Sequence, residues 1–237
     1  MTRSRYGPDF RLHGYRAVND AVEKSFYAHI EADEDSLTAL AEHQSADALH
    51  SFHVLHDTTA TWGIPGEPQI IALHITRDIS ARSFSFEHTT LPLAAMAQAW
   101  LVSRGCPKSA IRLPPDLGTV PADETTSALQ DRLVGDGDRF ALLYSYTDDA
   151  ADHPRVTVLL RSLAEKDPHP FRVLVEQADL KTFTHTLREG GFPTYEAALT
   201  WLDDPDQPLR PIPPATRRPG MPAPAPPAMR AAPRRIR

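Results

Sequence analysis

Cysteine is nearly absent from this chain: Cys106 is the only one in 237 residues. An internal disulfide is thereby excluded, and a reducing, cytoplasmic setting is expected. Long apolar runs are missing too, since none approaches the roughly 18 residues of a membrane span. The basic N-terminal stretch is not followed by an apolar segment, so it does not read as a secretory signal. Lysine is scarce, 4 against 21 arginines. The sequence has no P-loop, no Gly-x-Gly-x-x-Gly, no Gly-x-Ser-x-Gly and no His-Glu-x-x-His, so no motif names a reaction or a cofactor.

The most informative absence is acidic charge in the last 31 residues. Residues 207–237 contain no Asp or Glu, but they hold seven Arg and ten Pro. That segment carries +7, whereas residues 1–206, with 18 basic against 31 acidic side chains, carry −13. An acidic body repels phosphate backbones at long range, so only the tail has the sign for an anionic partner. Its binding residues are expected to be Arg210, Arg217, Arg218, Arg230, Arg234, Arg235 and Arg237. The prolines at 222, 224, 226 and 227 favour extended polyproline II. A disordered arm of this kind can be a polyproline ligand, touch nucleic acid weakly, or be drawn onto acidic surfaces, its own body included.

Upstream of the arm, 41% hydrophobic and 24% charged residues fit a soluble globular chain. Val18, Val22, Phe26 and Ile30 form an i, i+4 stripe after a start residue at Asn19 or Asp20. Leu37, Leu40 and Ala41 suggest a second short helix. Strand-like runs follow at 51–56, 69–76 and 82–88, and then a helix bearing Leu93, Met96, Ala97, Trp100 and Leu101, capped by Thr90 and closed by Gly105. In the second half, Asp123 caps a helix with Leu129 and Leu133, and strands are expected at 140–147, 155–161 and 171–176. Asp179 should start a helix bearing Leu180, Phe183 and Leu187, and Thr194 a last one with Ala198, Leu199 and Leu202. The expected fold is α+β: two similar lobes, each helix, three-stranded antiparallel meander, helix, at 18–105 and 122–204. A flexible segment, 1–17, precedes them, a Pro-containing linker, 106–121, joins them, and a disordered Pro/Arg-rich tail, 205–237, follows.

Few residues offer chemistry. His50, His53 and His56 recur every three positions, which would converge on a helix but alternate faces on a strand. His53 and His74 are expected as cross-strand neighbours with Glu87 one strand further, a trio able to hold a divalent metal or pass a proton. The open face of the second meander would carry Thr157, Arg161, Arg172 and Glu176, a set suited to ion pairs. Cys106 follows a helix C-terminus, where the dipole disfavours a thiolate, while Arg104 and Lys108 favour one. Trp62, in a Gly/Pro loop, is either a contact residue or a lid.

These features favour a cytoplasmic, non-enzymatic interaction or regulatory module with a protein partner, no cofactor, no metal and no membrane. The competing expectations are an enzyme built on His53, His74 and Glu87, and a nucleic-acid accessory protein acting through its tail.

Overall fold

The structure is a computed structural model that describes residues 7–32, 34–136, 139–149, 153–205, 207–210 and 212. The elements of the first half are β1 (Arg16–Ala17), α1 (Asp20–Phe26, continued by a π-turn at Tyr27–Glu31), β2 (Leu37–Gln44), β3 (His50–Asp57), a single turn α2 (Ala60–Gly63), β4 (Ile70–Asp78), β5 (Ser83–Leu91) and α3 (Ala94–Ser103). The second half supplies β6 (Val120–Pro121), α4 (Glu124–Asp136), β7 (Phe140–Asp148), β8 (Arg155–Ser162), β9 (Phe171–Asp179), β10 (Thr184–Phe192) and α5 (Tyr195–Leu202).

They form two five-stranded mixed sheets, ordered β1-β5-β4-β3-β2 and β6-β10-β9-β8-β7. Each is a four-stranded antiparallel meander with a two-residue strand paired parallel to its last member. The α+β architecture is as expected, but the meanders have four strands rather than three. Both additions occupy segments expected to be helical. In β2 the pairing shifts between Ala39 and Ala41, so Leu40 bulges and the faces on either side exchange. That break places Leu37 and Ala41 at helix-like spacing in an extended strand. In β10, Asp179 Oδ1 accepts from Lys181 N (2.8 Å) and Thr182 N (3.3 Å) as a helix cap would, but it closes a hairpin whose Phe183 has φ +54°. A carboxylate over two free amides serves a cap and a turn equally well.

Local start signals were otherwise legible. Asn19 Oδ1 accepts from Val22 N at 3.0 Å, Asp123 Oδ1 from Thr126 N at 2.7 Å, and Thr194 Oγ1 from Ala197 N at 3.2 Å. Thr90 does not cap α3, because β5 runs on to Leu91 and Leu93 stands at the N-cap without a side-chain bond.

The layers follow in the order α1, first sheet, α3, α4, second sheet, α5. Phe10, Phe26, Ile30, Leu55, Leu73 and Ile75 fill the space under α1. On the opposite face, Phe52, Val54 and Ala72 meet Ala97 and Leu101 of α3 together with Cys106 and Ile111. Leu93 and Ala95, with Met96 and Val102 beside them, join Leu129, Leu133, Leu160 and Leu174 in a third cluster. Helix α3 is therefore covered on two sides, which is why it is apolar all round instead of amphipathic. Residues 7–17, expected to be flexible, lie on the body: Phe10 is buried and Arg16 and Ala17 pair with Ser83 and Phe84. Beyond α5, Trp201 Nε1 donates to Gln207 O (3.0 Å) and Gly191 N to Arg210 O (3.1 Å), so the chain as far as Arg210 also packs on the body. No helix of the described residues is long and apolar enough to cross a membrane.

Candidate functional site

The sheet register corrects the expected histidine trio. On β3 and β4, Phe52 stands opposite His74 and Leu73 opposite His53. Partners in register share a face, so His53 and His74 lie on opposite faces of the sheet; a slip of one residue exchanges every side chain. His74 and Glu87 do pair across β4 and β5, but Glu87 turns outward to Arg104 Nε at 2.8 Å. Among the described residues, no group of three or more His, Cys, Asp or Glu side chains is placed to hold a metal ion.

His53 sits under the N-terminal strap, 2% exposed and edge-on to Phe10. Its Nδ1 lies 3.1 Å from Glu42 Oε1, which fixes the ring. Burial works upward on the Glu42 carboxyl, but the His53 hydrogen bond and charge outweigh it and hold Glu42 below the usual carboxylate range. His53 Nε2 is buried and has no partner among the described residues. A carboxylate–imidazole pair with a free Nε2 can take a proton. The adjoining cavity is only about 40 Å³, however, which is room for a few waters rather than for a substrate.

The opposite face carries a stacked layer. His74 lies parallel to Phe52 at 4.6 Å, His50 Nδ1 is 3.0 Å from His74 Nε2, and His43 stacks over Phe52 at 6.1 Å. One imidazole N–H serves both rings, so a second proton would be repelled. Burial, and then His50, lower the His74 pKa; Glu87 opposes this and Arg104 adds to it. Burial likewise lowers His88 beside His29, and His185 between Thr119 and Gln130. A histidine whose folded pKa is depressed contributes stability above its unfolded pKa of about 6.5 and loses it as pH falls toward the folded value. Thermal melts of a His74→Phe variant, which keeps the stack, are expected to show a smaller loss of stability between about pH 7 and 5 than the parent. An identical acid slope would refute the role of this ring.

Cys106 is buried and its thiol is pushed up to about 11 by that burial, so it is a packed side chain among Phe52 and Ile111 rather than a nucleophile. Arg210 bonds β10 through its backbone carbonyl; Arg217, Arg218, Arg230, Arg234, Arg235 and Arg237 lie outside the described residues.

Trp62 is 80% exposed, and the loop that carries it is held at both ends on the other half of the chain. On one side Thr61 Oγ1 and Gln69 Nε2 bond Asp149; on the other Gly66 pairs with Thr147, Thr147 N donating to Gly66 O at 3.0 Å. Gly66, at φ +85°, is so close to the Tyr146 ring that no Cβ would fit. The loop thus sets Trp62 and Ile64 beside the outer strand β7, where Leu143, Tyr144 and Tyr146 are 44–45% exposed. Leu143 is the bulged residue of β7, and the Gly66 bridge occupies its far end. A bulge and a capped end blunt an edge against strand addition, so this surface offers side chains rather than backbone.

Comparison with family models, curated proteins and solved structures finds no match. The surface therefore stands on its own chemistry. Of the two expectations for Trp62, contact residue or lid, its exposure fits the first; Tyr144 and Tyr146 were missed. The signal was there: residues 140–147 form an uncharged, strand-length run, and adjacent Leu142 and Leu143 break its alternation.

Proposed function

We propose that this protein is a cytoplasmic, non-enzymatic interaction or regulatory module that recruits a protein partner through the surface made by Trp62, Ile64, Leu143, Tyr144 and Tyr146. The observation that carries this reading is Trp62, largely in solvent on a loop pinned before it by Thr61 and after it by Gly66. An aromatic held rigid and exposed costs little further entropy on binding, and such residues dominate interface energetics. Solvent-facing tryptophan on a tethered loop has no packing role that would account for it.

The two sheets are proposed to descend from one duplicated unit. Bulges fall at corresponding places, Ala39/Ala41 and Leu142/Tyr144, and the last hairpins turn at Arg82 (φ 49°) and Phe183 (φ 54°), each just after a turn Asp, 78 or 179. Both closing helices contain Trp-Leu, at 100–101 and 201–202. Duplication leaves one copy free to diverge toward binding while the other keeps the fold.

The test is recovery of bound proteins from cell extract by the full chain and by a Trp62→Ala/Tyr146→Ala variant. Surface truncations of this kind are expected to change stability by only about 0.5–1 kcal/mol. The variant should lose the specifically retained protein. Recovery of the same proteins in equal yield would overturn the reading.

A further inference from the structure

We infer that the aromatic surface has a resident ligand: the Pro/Arg tail of the same chain, residues 213–237, which covers it in cis and is displaced when a partner binds. This rests on the proposed binding role of that surface and adds its regulation.

Three observations carry it. The first is charge. The two segments that build the surface, 57–69 and 140–149, hold Asp57, Glu67, Asp148 and Asp149 and not one Lys or Arg. Six of the tail's arginines, with no acid, lie in 213–237. Proline-rich segments dock on grooves lined by aromatic rings, and arginines beside them pair with carboxylates.

The second is spacing. Tyr144 and Tyr146 both follow the bulge and face the same side of β7, so their Cα atoms are about 6.6 Å apart. A polyproline II helix has three residues per turn, so residues three apart share a ridge and are about 9.3 Å apart, within reach of two neighbouring rings. Pro224 and Pro227 stand on one such ridge, and Pro222 and Pro226 on the two beside it, so the run offers proline rings to Tyr144, Tyr146 and Trp62 from adjoining ridges.

The third is where the described chain leads. In the first sheet the segment after α3 crosses to cover β2 and β3, and Cys106, Ile111 and Leu113 pack with Ala41, Phe52 and Val54. The pair Ala41/Val54 corresponds to Tyr144/Leu159 in the second sheet. There the segment after α5 turns the other way, over β10, with Leu209 against Gly190 and Ile212 against Gly191. The half-face at Tyr144 and Tyr146 is left without the cover its counterpart has. From Ile212, level with β10, the outer strand is three strand spacings away, about 15 Å. Ten residues of polyproline II reach about 31 Å, so Pro222 gets there with slack. Tethering gives an effective concentration of order millimolar, so an intrinsic affinity as weak as about 1 mM leaves the surface roughly half covered.

The test uses the full chain with a nitroxide on an introduced Ala225→Cys; buried Cys106 does not compete for the label. The Trp62 indole N–H and the Tyr144 and Tyr146 amides should lose most of their NMR intensity, while the Trp201 indole keeps its own. Adding Pro222→Ser, Pro224→Ser and Pro226→Ser should restore them, as should about 1 M salt, where the Debye length falls to about 3 Å. Undiminished Trp62 intensity beside the nitroxide would overturn the inference. So would a loss seen only when labelled and unlabelled chains are mixed, since the occupant would then be a second copy's tail. The readout needs no external partner. A missing tail contact with partner recovery still dependent on Trp62 refutes this inference alone; a tail contact with recovery independent of Trp62 refutes the partner reading instead.

Discussion

Leu101→Ala is expected to lower the unfolding free energy by about 2–5 kcal/mol and to do so in a single transition that includes both halves of the molecule. Leu101 is fully buried where α3 meets the first sheet. Removing its branched end leaves a cavity that close-packed neighbours fill only in part. The same ten-residue helix turns Met96 and Val102 toward α4 and the second sheet, so a loosened α3 withdraws support from both sheets. The measurement is denaturant unfolding followed by far-ultraviolet circular dichroism and by tryptophan emission, with Trp201 reporting on the second half. Coincident curves displaced to lower denaturant are expected. A split, with Trp201 unfolding at its original midpoint, would show that α3 does not couple the sheets.

Glu176→Gln should act in the opposite direction and stabilise the protein by about 1–3 kcal/mol near pH 8, with little effect near pH 4. Glu176 lies on the α4 side of the second sheet, level with Val156 and Leu187. The corresponding residue of the first sheet is Ile75, fully buried. Burial raises the Glu176 carboxyl from 4.5 to about 7. Between those values the folded state keeps a proton that the unfolded chain has released. Stability therefore falls as pH rises through that window, and the loss is complete above about pH 7. At about 1.4 kcal/mol per pKa unit the ceiling is about 3 kcal/mol, and residual contact with solvent reduces it. Glutamine keeps the shape and removes the charge. The buried histidines work the other way over part of the same range, so the diagnostic quantity is the difference between variant and parent as a function of pH. A difference independent of pH would place the effect in packing.

Much of the fold was legible in residue patterns because local physics wrote it. Caps at Asn19, Asp123 and Thr194, and alternation in the six recognised strands, are short-range signals that tertiary contacts did not override. The two strands read as helices show the limit. A bulge at Leu40 and a turn carboxylate at Asp179 each imitate helical spacing or capping, and only pairing with a neighbour tells them apart. The two-residue strands β1 and β6 carry no periodic signal at all.

The site followed the same division. The sequence by itself determined that the chain has an acidic body and a cationic Pro/Arg arm, that one lone cysteine forms no internal disulfide, and that helices and antiparallel strands alternate in both halves. Those are sums and periodicities, which no folding can alter. Only the tertiary structure decided that His53 and His74 face apart, that α3 is shared between two sheets, and that the loop carrying Trp62 is laid against Tyr146 through Gly66. Each of these depends on register or on contacts between residues about 80 positions apart, as Gly66 and Thr147 are, and a strand's register is fixed only when its partner's side chains are in place.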